Sequence, residues 1–252
     1  MKTLLINQIE IGKGKPKIIV PAVGQTLAEL TSEAFFFQKK LDLFDVLEWR
    51  VDHFAEINSI DAIKNVLQTF HSILPNKPIL FTCRTANEGG AITITPSDYV
   101  KLNHAIICSG LIHLVDVEIF IGDKEAQAII QYAHQHHVYV IASNHDFTKT
   151  PSQQSIIQRL NKMQAFDADI LKIAVMPNSP QDVLTLLSAT NEMKQNHTNK
   201  PLITMSMGKL GAISRISGEI FGSDMTFASG AQASAPGQID MQTLNTMLNA
   251  LN

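Results

Sequence analysis

Short apolar runs alternate along the chain with longer segments whose apolar residues lie three and four positions apart. The short runs are rich in β-branched residues, as buried strands are. There are eight of them, at residues 17–20, 46–51, 78–84, 111–118, 138–146, 168–176, 201–207 and 225–228. The longer segments have the spacing of amphipathic helices, and they include residues 60–74, 124–137, 152–165 and 181–195. The pattern therefore predicts a repeated βα unit.

Eight such units in a chain of 252 residues favour an α/β fold, the (β/α)8 TIM barrel, which typically has about 250 residues. Residues 3–10, which precede Gly12 and Gly14, predict an extra N-terminal hairpin that closes the bottom of the barrel. A doubly wound open sheet is the competing architecture, but no GxGxxG turn follows the first run. We therefore expect residues 1–252 to form a single TIM-barrel domain.

Composition narrows the range of partners. The hydrophobic fraction of 45% is enough for a large core, and the formal net charge of −3 provides no basic surface field for nucleic acid. The apolar stretches are shorter than the roughly twenty residues that span a bilayer. The two cysteines, Cys83 and Cys108, lack the spacing of a metal site or a redox pair. These observations favour a cytoplasmic protein that binds a small molecule.

A lysine interrupts the apolar run at residues 168–176. Burial in such a run is expected to lower the pKa of Lys172, because desolvation disfavours the ammonium form. A neutral lysine is a nucleophile that can form a Schiff base with a carbonyl compound. The alternative is that Lys172 extends its ammonium group to the rim of the sheet and only covers apolar surface. His145, near the end of the preceding run, is by itself more typical of a polar strand end than of an acid–base residue.

Functional side chains occur late in six of the predicted strands. In a TIM barrel the carboxyl ends of the strands form one rim, and the active site lies there. The residues concerned are Glu48, Arg50, Arg84, Glu118, His145, Lys172 and Met207. Their placement predicts that they converge on a single site.

Six blocks of residues, spread over nearly the whole chain, form a recognisable series. They are Glu-Trp-Arg-Val-Asp at 48–52, Thr-Cys-Arg at 82–84 with Glu-Gly-Gly at 88–90, Ser-Asn-His-Asp-Phe at 143–147, Lys-Ile-Ala at 172–174, Met-Ser-Met-Gly at 205–208 with Ser-Arg at 214–215, and Ser-Ala-Pro-Gly-Gln at 234–238. Together they resemble the type I 3-dehydroquinate dehydratases. The resemblance implies a barrel, usually a homodimer, that dehydrates 3-dehydroquinate to 3-dehydroshikimate in the shikimate pathway, with no metal or organic cofactor.

The resemblance also implies roles for three catalytic residues. Lys172 forms the Schiff base with the substrate ketone, and His145 acts as general base and acid. Glu88 orients His145, although in isolation it is more typical of a solvated loop glutamate. Asp116 and Glu118 are expected near Lys172.

The implied substrate carries a carboxylate and several hydroxyl groups. Arginine binds carboxylates bidentately, which favours Arg215 for this role over a surface ion pair with Glu219. By resemblance, the other substrate-binding residues are Glu48, Arg50, Arg84, Ser234, Gln238, Met207 and Phe227. The first three are expected to bind hydroxyl groups and to pair with one another, unless they form a purely structural ion network.

The last four of these residues are expected in a loop segment or in the apolar wall of the site. Ser234 and Gln238 belong to a segment, residues 228–238, that is rich in small residues and is expected either to close over the substrate or to be a plain connector. Within it Ala231 and Gln232 stand where some members of the family have basic residues. Met207 and Phe227 are expected to form apolar walls, or else barrel core.

Two other functions remain open from the sequence. A class I aldolase is also a barrel with a Schiff-base lysine, and residues 208–211 could then be a phosphate-binding loop. Arg215 favours a carboxylate substrate instead. A non-catalytic barrel that binds a metabolite is the other alternative, but it would not need Lys172, His145 and Glu88 together.

Overall fold

A computed structural model of the chain describes residues 3–230 and 235–251. A hairpin of β1 (Leu4–Ile6) and β2 (Ile9–Ile11) comes first. The barrel strands are β3 (Lys17–Ala22), β4 (Val46–Arg50), β5 (Ile79–Thr82), β6 (Leu114–Glu118), β7 (Tyr139–Asp146), β8 (Ile170–Val175), β9 (Leu202–Ser206) and β10 (Met225–Ser229). The helices are α1 (Leu27–Gln38), α2 (Ile60–Ile73), α3 (Pro96–Ile107), α4 (Asp123–Gln135), α5 (Gln153–Ala165), α6 (Pro180–Glu192), α7 (Ile213–Ile216), α8 (Gly218–Phe221) and α9 (Met241–Ala250). A two-residue strand, β11 (Ile239–Asp240), pairs with β10.

The strands form one curled sheet in the order β10-β3-β4-β5-β6-β7-β8-β9, and every neighbouring pair is parallel. Between β9 and β10, the turn before β10 joins the two edges of the sheet. Asp224 N donates to Leu202 O over 2.7 Å, and Thr204 N donates to Ser223 Oγ over 3.0 Å. The predicted α/β TIM barrel is therefore confirmed, and each of the eight predicted runs overlaps one of its strands.

The hairpin closes the bottom of the barrel, as predicted. Its side chains Leu4, Ile6 and Ile11 are buried and belong to one apolar cluster with residues of the barrel interior. The interior members at this end include Ile19, Val46, Leu80, Leu114, Ile141 and Ile170, which lie early in their strands. Two residues further along β4 to β8, on the same face, the buried side chains are polar: Glu48, Thr82, Asp116, Ser143 and Lys172. The apolar end is thus sealed, and the polar end remains available for a site.

The helices cover the outside of the sheet, where a second apolar cluster fills the space between strands and helices. Several helices begin at a Ser or Thr whose side-chain oxygen accepts a backbone N–H of the first turn, which satisfies an otherwise unpaired donor. These residues are Thr26, Ser59, Thr95, Ser152 and Ser179. In the part of the chain that the structure describes, no helix has the length and apolar character to cross a membrane.

Candidate active site

A cavity of about 480 Å³ opens at the carboxyl ends of the barrel strands. Most site residues expected from the sequence line it. Glu118 does not line it, and Ser234 lies outside the described residues together with Ala231 and Gln232. The cavity is also lined by five residues that were not expected: Gly89, Phe147, Ala174, Met205 and Ala235. The structure therefore brings together side chains from strands far apart in the sequence, as the barrel argument predicts.

Lys172 lies on the inner face of β8 and is only 3% exposed. Its Nζ donates to Asp116 Oδ2 over 3.0 Å and lies 4.6 Å from the centroid of the Phe227 ring. The alternative that Lys172 reaches the rim to cover apolar surface is therefore wrong. The amine thus lies inside the barrel, between a carboxylate and an aromatic ring.

Asp116 connects Lys172 to a buried ion cluster. Its Oδ1 accepts from Arg84 Nη2 over 2.8 Å and from Ser143 Oγ over 2.6 Å. Burial pushes the pKa of Asp116 up, but the charges of Arg84 and Lys172 outweigh it and hold the pKa at about 2. Arg84 Nη1 also donates to Glu118 Oε1 over 2.9 Å. Asp116 thus lies beside Lys172, as expected, while Glu118 contacts Arg84.

His145 and Glu88 form a second pair at the cavity wall. The His145 Nδ1 lies 2.9 Å from Glu88 Oε2, which also accepts the backbone N–H of His145 over 2.9 Å. The other carboxylate oxygen, Oε1, accepts from Asn144 Nδ2 over 3.0 Å. With Glu88 accepting on both oxygens, Nδ1 carries the imidazole proton, and Nε2 has the lone pair that a base needs.

The surroundings shift the proton affinities of this pair. Burial lowers the pKa of His145 well below its usual range, and the positive charges of Arg84, Lys172 and Arg50 lower it further. His145 is therefore neutral at pH 7. Burial raises the pKa of Glu88 to about 7, although Arg84, whose Nη1 lies 3.8 Å from Glu88 Oε2, acts in the opposite direction. Glu88 is poised to change its charge near neutral pH.

A short loop delivers Glu88 to this position. The chain leaves β5 and forms a 3-10 turn at Ala86–Glu88, which ends at Gly89 with a φ of 80°. A Cβ at Gly89 would collide with the ring of Phe147, and one at Gly90 would collide with the carbonyl group of Arg84. Both glycines are therefore required where they stand, and the solvated-loop alternative for Glu88, which is 6% exposed, is wrong.

The expected pairing among Glu48, Arg50 and Arg84 is wrong. Arg50 instead donates through Nε and Nη2 to the two oxygens of Asp52, over 2.8 and 2.7 Å. The 3-10 turn at Val51–His53, which follows β4 directly, folds the Asp52 carboxylate back onto the Arg50 guanidinium. Glu48 accepts from Thr82 Oγ1 over 2.9 Å, and it makes no ion pair within 4 Å in the described structure.

Arg215 is a buried cation that the described residues leave without a carboxylate. It is 1% exposed, and its Nη1 and Nη2 donate to the carbonyl oxygens of Phe227 and Pro236, each over 3.2 Å. Its Nε has no hydrogen-bond partner. Burial lowers the pKa of Arg215 to about 10. The surface ion pair with Glu219 is thus excluded, and the guanidinium is left with unused capacity to bind an anion at the cavity.

Met207 and Phe227 are buried and line the cavity while belonging to the barrel-interior cluster, so each is at once part of the cavity wall and part of the barrel core. Gln238 also lines the cavity. In residues 3–230 and 235–251, no group of three or more His, Cys, Asp or Glu side chains is arranged to hold a metal ion.

Comparisons with known proteins agree on one family. A family model described as type I 3-dehydroquinase matches residues 18–252. The 3-dehydroquinate dehydratase of Salmonella typhimurium strain LT2 is 49% identical over 252 residues, which is 100% of this chain and 99% of that protein.

Solved structures give the same result. The type I 3-dehydroquinate dehydratase of Clostridium difficile superposes with a TM-score of 0.96 at 44% identity, covering 99% of this chain and 98% of that one. The enzyme of Geobacillus kaustophilus has a TM-score of 0.94 at 38% identity, with coverages of 99% and 96%. A 3-hexulose-6-phosphate synthase from Salmonella typhimurium, 17% identical with a TM-score of 0.58, shares the fold alone. The chain therefore belongs to the type I 3-dehydroquinase family, a family of hydro-lyases.

Proposed function

We propose that the protein dehydrates 3-dehydroquinate to 3-dehydroshikimate through a Schiff base on Lys172. The observation that carries the proposal is that a buried lysine amine and a neutral imidazole line one cavity in a chain of this family. The ketone of the substrate would meet the amine, and the C–H beside that ketone would meet the imidazole. A cavity of this size suits a single small polyol.

The first half of the reaction builds an electron sink. Lys172 gives a proton to His145, and its Nζ bonds to the ketone carbon. His145 returns that proton to the former ketone oxygen, which leaves the carbinolamine as water. The iminium ion that remains acidifies the adjacent C–H bond. Asp116, whose Oδ2 lies 3.0 Å from Nζ, stays ionised because of its low pKa and stabilises the positive nitrogen.

The second half removes the β-hydroxyl group. His145 Nε2 takes the proton from the α carbon, and the electron pair moves into the iminium system. The same imidazolium then returns its proton to the departing hydroxyl group, which leaves as water. The Schiff base is hydrolysed by a second water, which restores the Lys172 amine and the ketone. Protons balance over the cycle, and the net product is one water per substrate.

Glu88 and Arg215 have supporting roles. Glu88 accepts a hydrogen bond from the Nδ1–H group of His145 and so directs the basic Nε2 toward the substrate. Arg215 binds the substrate carboxylate, which would provide the anionic partner that its guanidinium lacks. Gln238 completes the carboxylate end of the site together with Ser234, which lies outside the described residues.

The hydroxyl groups of the substrate are bound by Glu48 and Arg50, which are fixed by Thr82 and Asp52. Arg84 also faces the cavity, and its contacts with Asp116 and Glu118 give it the additional task of holding the ion cluster together. Met207 and Phe227 form the apolar walls around the imine.

The protein acts without a metal or organic cofactor, as a single domain spanning residues 1–252. It catalyses the third step of the shikimate pathway in the cytoplasm, as a homodimer. Neither the class I aldolase nor the non-catalytic barrel is favoured by a specific observation. The exposed Lys209 of the possible phosphate loop does not line the cavity, whereas Arg215 does.

The experiment is a turnover assay of the purified protein with 3-dehydroquinate, followed by the ultraviolet absorbance of the conjugated enone product. We expect turnover by the unmodified chain, none above background by Lys172→Met, and a large loss in His145→Ala. His145→Ala should still form some covalent adduct with the substrate. Wild-type turnover by either variant would remove the corresponding residue from the mechanism, and an inactive unmodified chain would reject the proposal.

A further inference from the structure

A chain of hydrogen bonds continues from Glu88 away from the substrate cavity. Asn144, which donates to Glu88 Oε1, accepts on its Oδ1 from Arg159 Nη1 over 2.8 Å. Arg159 lies on α5, outside the barrel, and does not line the substrate cavity. The series Arg159–Asn144–Glu88–His145 therefore connects an outer helix to the imidazole, with every link at 3.0 Å or less.

The chemistry of the donor at the start of this chain fixes the direction of each link. A guanidinium has five N–H donors and no acceptor. Asn144 must therefore turn its oxygen toward Arg159, and its NH2 group then faces Glu88. Glu88 receives a donor on Oε1 and remains an acceptor for the Nδ1 proton of His145. The orientation of this buried amide is therefore set from both sides, by the donor of Arg159 and by the acceptor of Glu88.

We propose that Arg159 is a positioning residue for the dehydration reaction, acting through Asn144 to keep Glu88 a carboxylate acceptor for His145. The inference rests on the proposed function. Without Arg159 the amide of Asn144 can turn its oxygen toward Glu88. Two facing acceptors repel unless Glu88 takes up a proton, and a protonated Glu88 no longer holds the proton of His145 on Nδ1.

The surroundings of Arg159 favour this role over that of a surface ion pair. A second cavity of about 720 Å³ lies on the outer side of Glu88, and Arg159 lines it together with Glu88, Asn144 and His145. Among the described residues, the carboxylate within 4 Å of Arg159 is that of Asp146, whose Oδ2 is 3.8 Å from Nη1 and therefore beyond hydrogen-bond distance. The short contact of the guanidinium is thus with the amide.

The same helix offers a matched control. Lys162, one turn further along α5, also lies over the ring of Phe120, as Arg159 does. Its ammonium pairs with Asp123, and its other cation–ring contact is with Phe166. Lys162→Met removes one positive charge from the same face without touching the Asn144–Glu88 link.

The other charged groups that act on Glu88 and His145 come from the ends of several strands. Those facing Glu88 are Arg84, Asp116 and Glu118, and those facing His145 include Arg50 and Lys172. Asp146 faces Arg159. All of them remain in place in the variants at positions 159 and 162, so a change in the titration of the pair can be assigned to the link itself.

The experiment compares the unmodified chain with Arg159→Met, Arg159→Lys and Lys162→Met, measuring kcat and KM for dehydration from pH 5 to pH 9. We expect Arg159→Met to lower kcat by about tenfold, as loss of one charge-assisted hydrogen bond would, and to move the acidic limb of kcat/KM to higher pH. KM should change little, because Arg159 does not touch the substrate cavity. Arg159→Lys should restore most of kcat, and Lys162→Met should match the unmodified chain.

A readout that needs no turnover separates this inference from the proposed function. The imidazole of His145 is titrated by NMR in the unmodified chain, Arg159→Met and Lys162→Met. The midpoint of the His145–Glu88 pair should rise by at least about half a pH unit in Arg159→Met alone. An unchanged midpoint, or a change in melting temperature without a change in the pH profile, would overturn the role of Arg159. An inactive unmodified chain whose pair still shifts in Arg159→Met would overturn only the proposed function.

Discussion

Replacing Arg215 by methionine should separate activity from stability. In the described residues the guanidinium is buried, its Nη1 and Nη2 donate to two backbone carbonyl groups, Nη1 also lies 3.9 Å from Met205 Sδ, and Nε has no hydrogen-bond partner. If it binds the substrate carboxylate in a fork, each of two charge-assisted hydrogen bonds contributes about 1.5–3 kcal/mol. Their joint loss of about 3–6 kcal/mol lowers kcat/KM by roughly 10² to 10⁴. The carboxylate is present in both ground and transition states, so the loss should fall mainly on KM.

The same Arg215→Met substitution should leave the stability of the protein unchanged or raise it slightly. The pKa of Arg215 falls from 12.5 to about 10 on folding, which corresponds to a cost of about 3 kcal/mol for burying the charge. Because the folded pKa is the lower one, this cost is fully present at pH 7 and is relieved only as the pH rises from about 10 to 12.5. Arg215→Met removes the cost and loses two carbonyl hydrogen bonds of about 1 kcal/mol each. The melting temperature should therefore stay the same or rise slightly.

The assay measures kcat/KM for the natural substrate and for its carboxamide analogue, with the unmodified chain, Arg215→Met and a control variant. Lys209→Met is the control, because Lys209 is exposed on the same connection and does not line the cavity. Arg215→Met should lose activity toward the carboxylate and little toward the amide. Equal losses toward both substrates, or a drop in melting temperature of more than a few degrees, would refute the argument that Arg215 is kept for carboxylate binding.

Three further predictions concern the ion cluster, the acid–base pair and the barrel floor. Asp116→Asn breaks buried ion pairs and should destabilise the protein by about 3–5 kcal/mol at pH 7. Because the pKa of Asp116 in the folded protein is about 2, the difference in unfolding free energy between the two proteins should persist above about pH 4 and shrink below it. A difference that stays constant with pH would contradict this. Turnover should fall as the pH falls through about 7, where Glu88 takes up a proton. Glu88→Gln should lower kcat by about tenfold and remove this acidic limb of the pH–rate profile. A profile that keeps the acidic limb would show that another group causes it. Ile11→Ala should cost about 2–5 kcal/mol in denaturant unfolding with KM unchanged, since Ile11 is fully buried at the end opposite the cavity; an altered KM would show that the two ends are coupled.

The fold could be predicted because parallel barrel strands are buried on both faces. Such strands are continuous apolar runs, and β7, β8 and β9 each lie within a run that the sequence marks clearly. The ends of the strands depend on contacts that the apolar pattern does not show. The run at residues 78–84 forms a strand only at Ile79–Thr82, because Arg84 and Thr85 bond instead to side chains of Asp52 and Glu118.

The membership of the site was predictable to a similar degree, whereas its ion pairing was not. Late strand positions converge in any TIM barrel, so Lys172 and His145 could be placed at one rim from order alone. Which carboxylate meets which cation depends on the turn that follows each strand. Asp52 reaches Arg50 through such a turn, and no alternation pattern distinguishes it from Glu48.

Arg159 gave no signal in the sequence. It lies on the polar side of an amphipathic helix, where arginines are common and usually solvated. Its meaning comes from the contact with Asn144, a residue that stands beside His145 in the chain but points to the other side of Glu88. Only the three-dimensional arrangement connects α5 to the acid–base pair.

Trapping of the covalent intermediate tests the central claim most directly. The purified protein is treated with 3-dehydroquinate and sodium borohydride, digested, and analysed by peptide mass spectrometry. We expect a reduced adduct on Lys172 and none on any other lysine, and no adduct in Lys172→Met. A protein that dehydrates the substrate but carries no borohydride-reduced adduct would contradict the Schiff-base mechanism.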